Sequence, residues 1–226
     1  MSQLIYLDNA ATTPLLPEVR KVMINYMVDN FGNPSSIYKI GRMNKIAVEE
    51  ARKSIAKTIG ACPDDIFFTS GGTESDNWVL ESAAESATES DSAHIIVSAI
   101  EHPAVINKCI QLKKRGCDVD YIKTDKNGII NTDDLISKIR DDTKLISVML
   151  VNNEIGTIQP VKNVCNIAAE YAIPVHTDAV AAYGHIPVNV KELGVDYLSV
   201  SAHKIGGAKG TGFLYAKAAN INPYIY

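Results

Sequence analysis

The chain is short of what would place it in several large classes of protein. No apolar stretch approaches the roughly 20 residues a bilayer span needs. The opening "MSQLIYLDNAATT" has no basic segment followed by an apolar block, so it carries no secretory signal. Its four cysteines, Cys62, Cys109, Cys117 and Cys165, fall in no metal-ligand spacing. Without a secretion signal they read as reduced thiols of a cytoplasmic protein. Formal net charge is −4 and the basic residues are scattered, which leaves no electrostatic footprint for nucleic acid. Internal repeats and low-complexity segments are also missing. What remains is 226 residues, 46% hydrophobic, enough for one large domain with a sizeable core.

From about residue 64 short β-branched runs alternate with amphipathic stretches. "IFFTS" (66–70), "HIIVSAI" (94–100), "VDYIKT" (119–124), "KLISVMLVNN" (144–153), "IPVHTDAV" (173–180), "VDYLSVSAH" (195–203) and "GTGFLYAK" (210–217) read as strands. Helices are expected over 73–87, 103–116, 132–142 with Thr132 as N-cap, and 161–172. Upstream lie an irregular arm (1–14), a helix near 17–29, the turn-rich "NFGNPSS" and a long helix over about 38–58. "SAAESATESDSAH" (82–94) is the most polar stretch and is expected to end as an exposed loop. Near-continuous apolar strands alternating with helices argue an α/β fold, a mostly parallel sheet with helices on both faces. "GTGFLYAK" is the exception. Only a short glycine-containing link separates it from the strand before it, and a parallel crossover needs a dozen residues or more, so it should run antiparallel.

Ligands of open α/β sheets lie beyond the carboxyl ends of the strands. Polar clusters recur at those ends: Ser70-Gly71-Gly72-Thr73-Glu74, Glu101-His102, Asn152-Asn153-Glu154, Asp178, and Ser201-Ala202-His203-Lys204. Taken singly, each is better explained by a cap or a turn. Five at one edge are not. "SGGTES" opens a helix with small residues and can present backbone N–H groups to an anion. It is neither a nucleoside-triphosphate loop nor a dinucleotide fingerprint. Asp178 ends an apolar strand and needs a cationic or hydrogen-bonding partner. His102 can lay a flat ring over a planar ligand, Asn153 can donate to a ring oxygen, and Ser201 and His203 can join the anion site. Lys204 supplies an amine, which desolvation and nearby positive charge turn into a nucleophile toward an aldehyde. Lysine, acid and anion site together are the parts that pyridoxal phosphate requires.

The stretches "YLDNAATTP", "GNPSS", "SGGTESDN", "EHPAV", "VNNEIGTIQP", "HTDAV" and "SAHKIGGAKGTGFLY" occur in the order found in cysteine desulfurases of the NifS/IscS type. The chain resembles that family, a part of the class V aminotransferase group of fold-type I pyridoxal-phosphate enzymes, along essentially its whole length. The resemblance implies a seven-stranded sheet in a cofactor-binding large domain over 15–226. It implies Lys204 as the lysine that carries the cofactor and Asp178 as the carboxylate on the pyridine nitrogen. His102 is implied as the stacked catalytic histidine. Gly72, Thr73, Ser201 and His203 are implied as phosphate contacts, and Asn153 as the residue beside ring and substrate, with no metal. It further implies L-cysteine as substrate, a homodimer or higher oligomer, and a sulfur acceptor or iron–sulfur scaffold protein as partner, with no role for nucleic acid or membrane.

Departures from the family pattern are local at three points. Ala181 stands where the family has a glutamine that bonds the cofactor, Ala208 where it has proline, and Tyr38 where many members have histidine. The largest is at "NINPYIY", where relatives continue into a "GGGQE"-like segment and a C-terminal domain. That domain holds the cysteine that receives sulfur and the arginine that binds the substrate carboxylate. The expectation is a desulfurase cofactor domain truncated before that point and inactive alone. The alternatives are a non-catalytic or cofactor-free assembly module, and a related class V enzyme such as a selenocysteine lyase.

Overall fold

The computed structural model describes residues 5–86 and 93–225, so most of the arm is covered. Residues 87–92, within the polar stretch read as an exposed loop, lie outside the described residues. In chain order the elements are α1 (Pro17–Val28), α2 (Lys39–Ile59), β1 (Ile66–Thr69), α3 (Gly72–Glu85), β2 (His94–Ser98), α4 (Pro103–Lys114) and β3 (Asp118–Ile122). Then follow α5 (Thr132–Lys138), β4 (Thr143–Ser147), α6 (Val161–Glu170), β5 (Val175–Asp178), α7 (Val190–Leu193), β6 (Tyr197–Ser201) and β7 (Gly212–Ala216).

The strands form one seven-stranded sheet in the order β1-β7-β6-β5-β4-β2-β3. Strands β3, β2, β4, β5 and β6 pair in parallel, and β7 runs antiparallel to both β6 and β1. The expected orientation of "GTGFLYAK" is thus observed. Alternation along the strands sends side chains to two cores. Ile96, Ile146, Leu198 and Val200 pack with Ile59 of α2, Leu135 of α5 and Val164 and Ala168 of α6. Ile95, Val97, Leu145 and Leu214 pack on the opposite face with Val79 and Leu80 of α3 and Val105, Cys109 and Leu112 of α4. Helices therefore cover both faces.

The chain moves outward from β2 to β3 through α4, then returns to the other side of β2 and proceeds from β4 to β5 through α6 on the opposite face. The carboxyl ends of β2 and β4 consequently border a crevice, the topological switch point at which such sheets bind ligands.

Several local expectations are corrected. Asn131, not Thr132, caps α5, its side-chain oxygen accepting from the N–H groups of Asp133 and Asp134 at 2.9 and 3.1 Å. That helix stops at Lys138, where Ile139 turns extended, and Arg140 beyond it pairs with Asp142 and Asp118. The strand read over 144–153 ends at Ser147. Beyond it the chain leaves β2 but still bonds β5, Val148 N–H to His176 O (3.0 Å) and Leu150 N–H to Asp178 O (2.9 Å). Apolar character there reflects burial of Val148, Met149 and Leu150 rather than two-sided pairing. The short helix α7, capped by Asn189, had no sequence expectation.

Candidate active site

All eight residues singled out from the sequence line one cavity of about 220 Å³ at the carboxyl edge of the sheet: Gly72, Thr73, His102, Asn153, Asp178, Ser201, His203 and Lys204. They arrive from the ends of β1, β2, β4, β5 and β6.

Helix α3 points its N-terminus into this space. Ser70 and Thr73 both have hydroxyls able to cap, yet no side chain caps the helix, and Gly71 takes the cap position at φ +150°. The first N–H groups of α3 are therefore left for an anion. Glu74 folds back to accept from Ser70 N–H at 2.6 Å. Glycine at 72 is required by packing: a Cβ there would stand 2.5 Å from Val180 Cγ2. Ser201 lies against the same turn, its Oγ 3.3 Å from where a Cβ at Gly71 would be.

His102 is both cap and wall. Its Nδ1 accepts from Ala104 N–H at 3.1 Å and so starts α4. In the neutral ring that bond leaves the proton on Nε2. Asn153 projects from a turn organised by its neighbour, since Asn152 Oδ1 accepts from the N–H groups of Glu154 and Ile155 at 2.9 and 3.0 Å. Asp178 ends β5 wholly buried, and its carboxylate accepts from Val180 N–H at 2.8 Å. Burial pushes its pKa up, against the Val180 bond and the nearby His102 and Lys204, which pull it down.

Lys204 closes a short 3₁₀ turn after β6. Its Nζ donates to the carbonyls of Ala10 and, at 3.0 Å, Ala11. The arm is pinned at the same place. Thr13 N–H and Oγ1 donate to His203 O at 2.9 and 2.8 Å, Gly206 N–H donates to Thr13 Oγ1 at 2.6 Å, and Leu16 N–H donates to Gly206 O at 2.9 Å. Gly206 sits at φ +79°, where a Cβ would be 2.5 Å from Leu16 Cγ. His203 Nδ1 lies 3.1 Å from Thr12 Oγ1, and burial with the charges of Lys204 and Lys209 lowers its pKa.

Sequence reasoning missed Ala11, Met149 and Asp76 as lining residues. Asp76 was findable. It follows Gly72 and Thr73 by four and three residues and therefore shares their helix face. Ala181 lines the cavity where the family glutamine was noted as absent. None of the four cysteines does so. Cys109 and Cys165 are buried, each pushed up to about 12 by desolvation, Cys117 is half-buried and Cys62 is exposed.

A sheet of this order with an amine, an acid and an open helix N-terminus at its carboxyl edge defines a large-domain fold of pyridoxal-phosphate enzymes, and residues 5–224 match the family Aminotransferase class-V. The chain belongs to that family. It is 51% identical over 223 residues to a cysteine desulfurase IscS of Methanosarcina thermophila and 52% identical over 227 residues to one of Dictyoglomus turgidum. Those alignments take in 98% and 100% of this chain but 55% and 57% of the relatives, so the chain spans about half their length. A solved structure of SspA in complex with cysteine superposes with a TM-score of 0.94 at 38% identity, over 97% of this chain and 64% of that one.

Proposed function

We propose that the cavity is a pyridoxal-phosphate site and that the chain forms the cofactor-holding part of a cysteine desulfurase. One observation carries the reading: five strand ends deliver to a single cavity an uncapped helix N-terminus, a buried carboxylate and an amine. The residues present fit the group. The N–H groups of α3 with Thr73, Ser201 and His203 would hold the phosphate, and Asp178 the protonated ring nitrogen. His102 would cover the ring face, Asn153 would reach a ring oxygen, and Lys204 would take the aldehyde. When bound, the cofactor supplies an electron sink that weakens bonds to an amino acid's α- and β-carbons.

The chain's own residues supply the rest. Lys204 Nζ is the one amine among the lining residues, and it takes and returns the proton at the substrate's α-carbon. To do so it leaves the carbonyls of Ala10 and Ala11. His102 presents Nε2–H from a ring whose other nitrogen α4 holds fixed. L-cysteine is the substrate this reading takes from the relatives, with loss of its sulfur to a thiolate. With no cysteine lining the cavity, the acceptor is a thiol from outside the described site, and an iron–sulfur scaffold protein in the cytoplasm is the partner that fits such chemistry.

Titration with pyridoxal phosphate, followed by visible absorption in wild type and Lys204→Ala, tests the site. A lysine-dependent band in wild type alone is expected. Equal spectra overturn the assignment of Lys204, and no band in either favours the cofactor-free assembly module. Wild type given L-cysteine should release no sulfide. Release that disappears in Lys204→Ala would show that the chain suffices for turnover.

A further inference from the structure

We propose that Asp76 is a positioning residue for Asp178: the two buried carboxyls hold one proton between them, on Asp76, which leaves Asp178 as the anion facing the cavity. Both line the same cavity, and they are 1% and 4% exposed. Asp178 has a backbone donor in Val180 N–H. Asp76 Oδ1 has no hydrogen-bond partner among the described residues, although it is wholly buried. A carboxylate oxygen without a donor, in a desolvated site and beside a second carboxylate, is more stable protonated.

The surroundings do not supply the missing charge. The basic group next to Asp76 is His176, whose Nε2 lies 3.5 Å from Oδ1. That ring is buried between two serines, Nδ1 at 2.8 Å from Ser147 Oγ and Nε2 at 2.9 Å from Ser199 Oγ. Burial takes its pKa down to about 3, so it is neutral at physiological pH. Ser199 is the register partner of Asp178 on β6. Ser199, His176 and Ser147 thus form a neutral hydrogen-bonded row beside Asp76. Glu101, beyond the end of β2, supplies no positive charge and is itself pushed up to about 8 by burial. Lys108 on α4 is committed to Glu81. The remaining basic groups, His102 and Lys204, act on Asp178 and lower it. Burial raises Asp76 as it raises Asp178, and at Asp76 the charge of Asp178 adds to it. The backbone donor at Asp178 and the lack of one at Asp76 Oδ1 assign the proton.

A neutral Asp76 lets Asp178 keep its charge without a second anion beside it. That charge would face a cationic ring nitrogen, and this one consequence rests on the cofactor reading above. The proton itself is readable without cofactor. Aspartate-selective ¹³C carboxyl NMR on the cofactor-free protein keeps Glu101 silent. One aspartate carboxyl should remain protonated at pH 7 and should be missing in Asp76→Asn. Ionisation of every aspartate at pH 7, or survival of the protonated signal in Asp76→Asn, overturns the proposal. If Asp76→Asn does not fold, Asp178→Asn takes its place, and there the protonated signal should persist; its loss overturns the proposal.

Denaturant titration gives a second readout. A carboxyl raised in the folded state contributes stability that is complete below about pH 4 and is lost as pH rises. The wild-type folding constant should therefore fall relative to Asp76→Asn by close to tenfold per pH unit above pH 4 until Asp76 ionises. Glu101 is present in both and cancels. A ratio independent of pH, the mark of a merely structural hydrogen bond, overturns the proposal. Failure to bind pyridoxal phosphate while Asp76 is seen protonated would refute the cofactor reading and leave the proton assignment standing.

Discussion

Glu101 shows how a single residue holds the crevice open. Its Oε1 accepts from Ser98 Oγ at 2.5 Å and from Met149 N–H at 2.7 Å, which ties the exit of β2 to the exit of β4. Asn152 Nδ2 adds a bond to Ile100 O at 2.9 Å across the same gap. The arrangement costs stability, because Oε2 is buried without a partner and burial pushes the carboxyl up to about 8. A carboxyl raised in the folded state stabilises fully below its unfolded value and loses that contribution as pH rises toward 8. Glu101→Gln keeps the acceptor oxygen and removes the charge. It should therefore match wild type near pH 4 and gain about 1.4 kcal/mol over it for each pH unit between the unfolded and folded values. Urea unfolding at pH 5, 7 and 9 reads this, and a variant less stable than wild type at pH 9 contradicts it. Glu101 was legible in the sequence as a polar residue at a strand end. Its burial was not, because that depends on Met149 arriving from the segment after β4, 48 residues later.

Among the elements, the irregular arm has the largest effect on the site for its size. Residues 9–13 carry no regular structure, yet their carbonyls hold Lys204 and their threonines hold His203 and Gly206. Thr13→Val removes the hydroxyl that both donates to His203 O and accepts from Gly206 N–H. The expected loss is about 1–3 kcal/mol of local docking, at roughly 0.5–1.5 kcal/mol for each bond. Limited proteolysis should then cut before residue 14 faster than in wild type, with the sheet intact by circular dichroism. Unchanged cleavage would mean that the Lys204 contacts alone hold the arm. Element types were readable from periodicity because β2 is buried on both faces and α6 on one. Ends were less so: Asn131 and Thr132 are both good caps, and only the direction of the turn from Ile130 selects the first.

At the scale of the whole molecule, the covered sheet contrasts with the surface around α1. That helix buries none of its residues. Met27, Val28, Phe31 and Ile37 are 73%, 64%, 73% and 88% exposed, and Ile46 of α2 is 62% exposed. Large apolar side chains exposed in this number mark an association face. A homodimer or higher oligomer is the expected state, and Phe31→Glu should shift it toward monomer. Sedimentation of wild type as a clean monomer at high micromolar concentration would contradict this. The sequence by itself determined the α/β class, the antiparallel last strand and the eight residues that meet in the cavity. Strand periodicity, link length and position at a strand end are all local properties of the chain. Only the tertiary structure decided that Asp76 lines the same cavity as Asp178, that Glu101 is buried and that the arm engages Lys204. Each depends on a neighbour brought from a distant segment, and burial, which sets the charge of an acid, has no signature in the residues next to it.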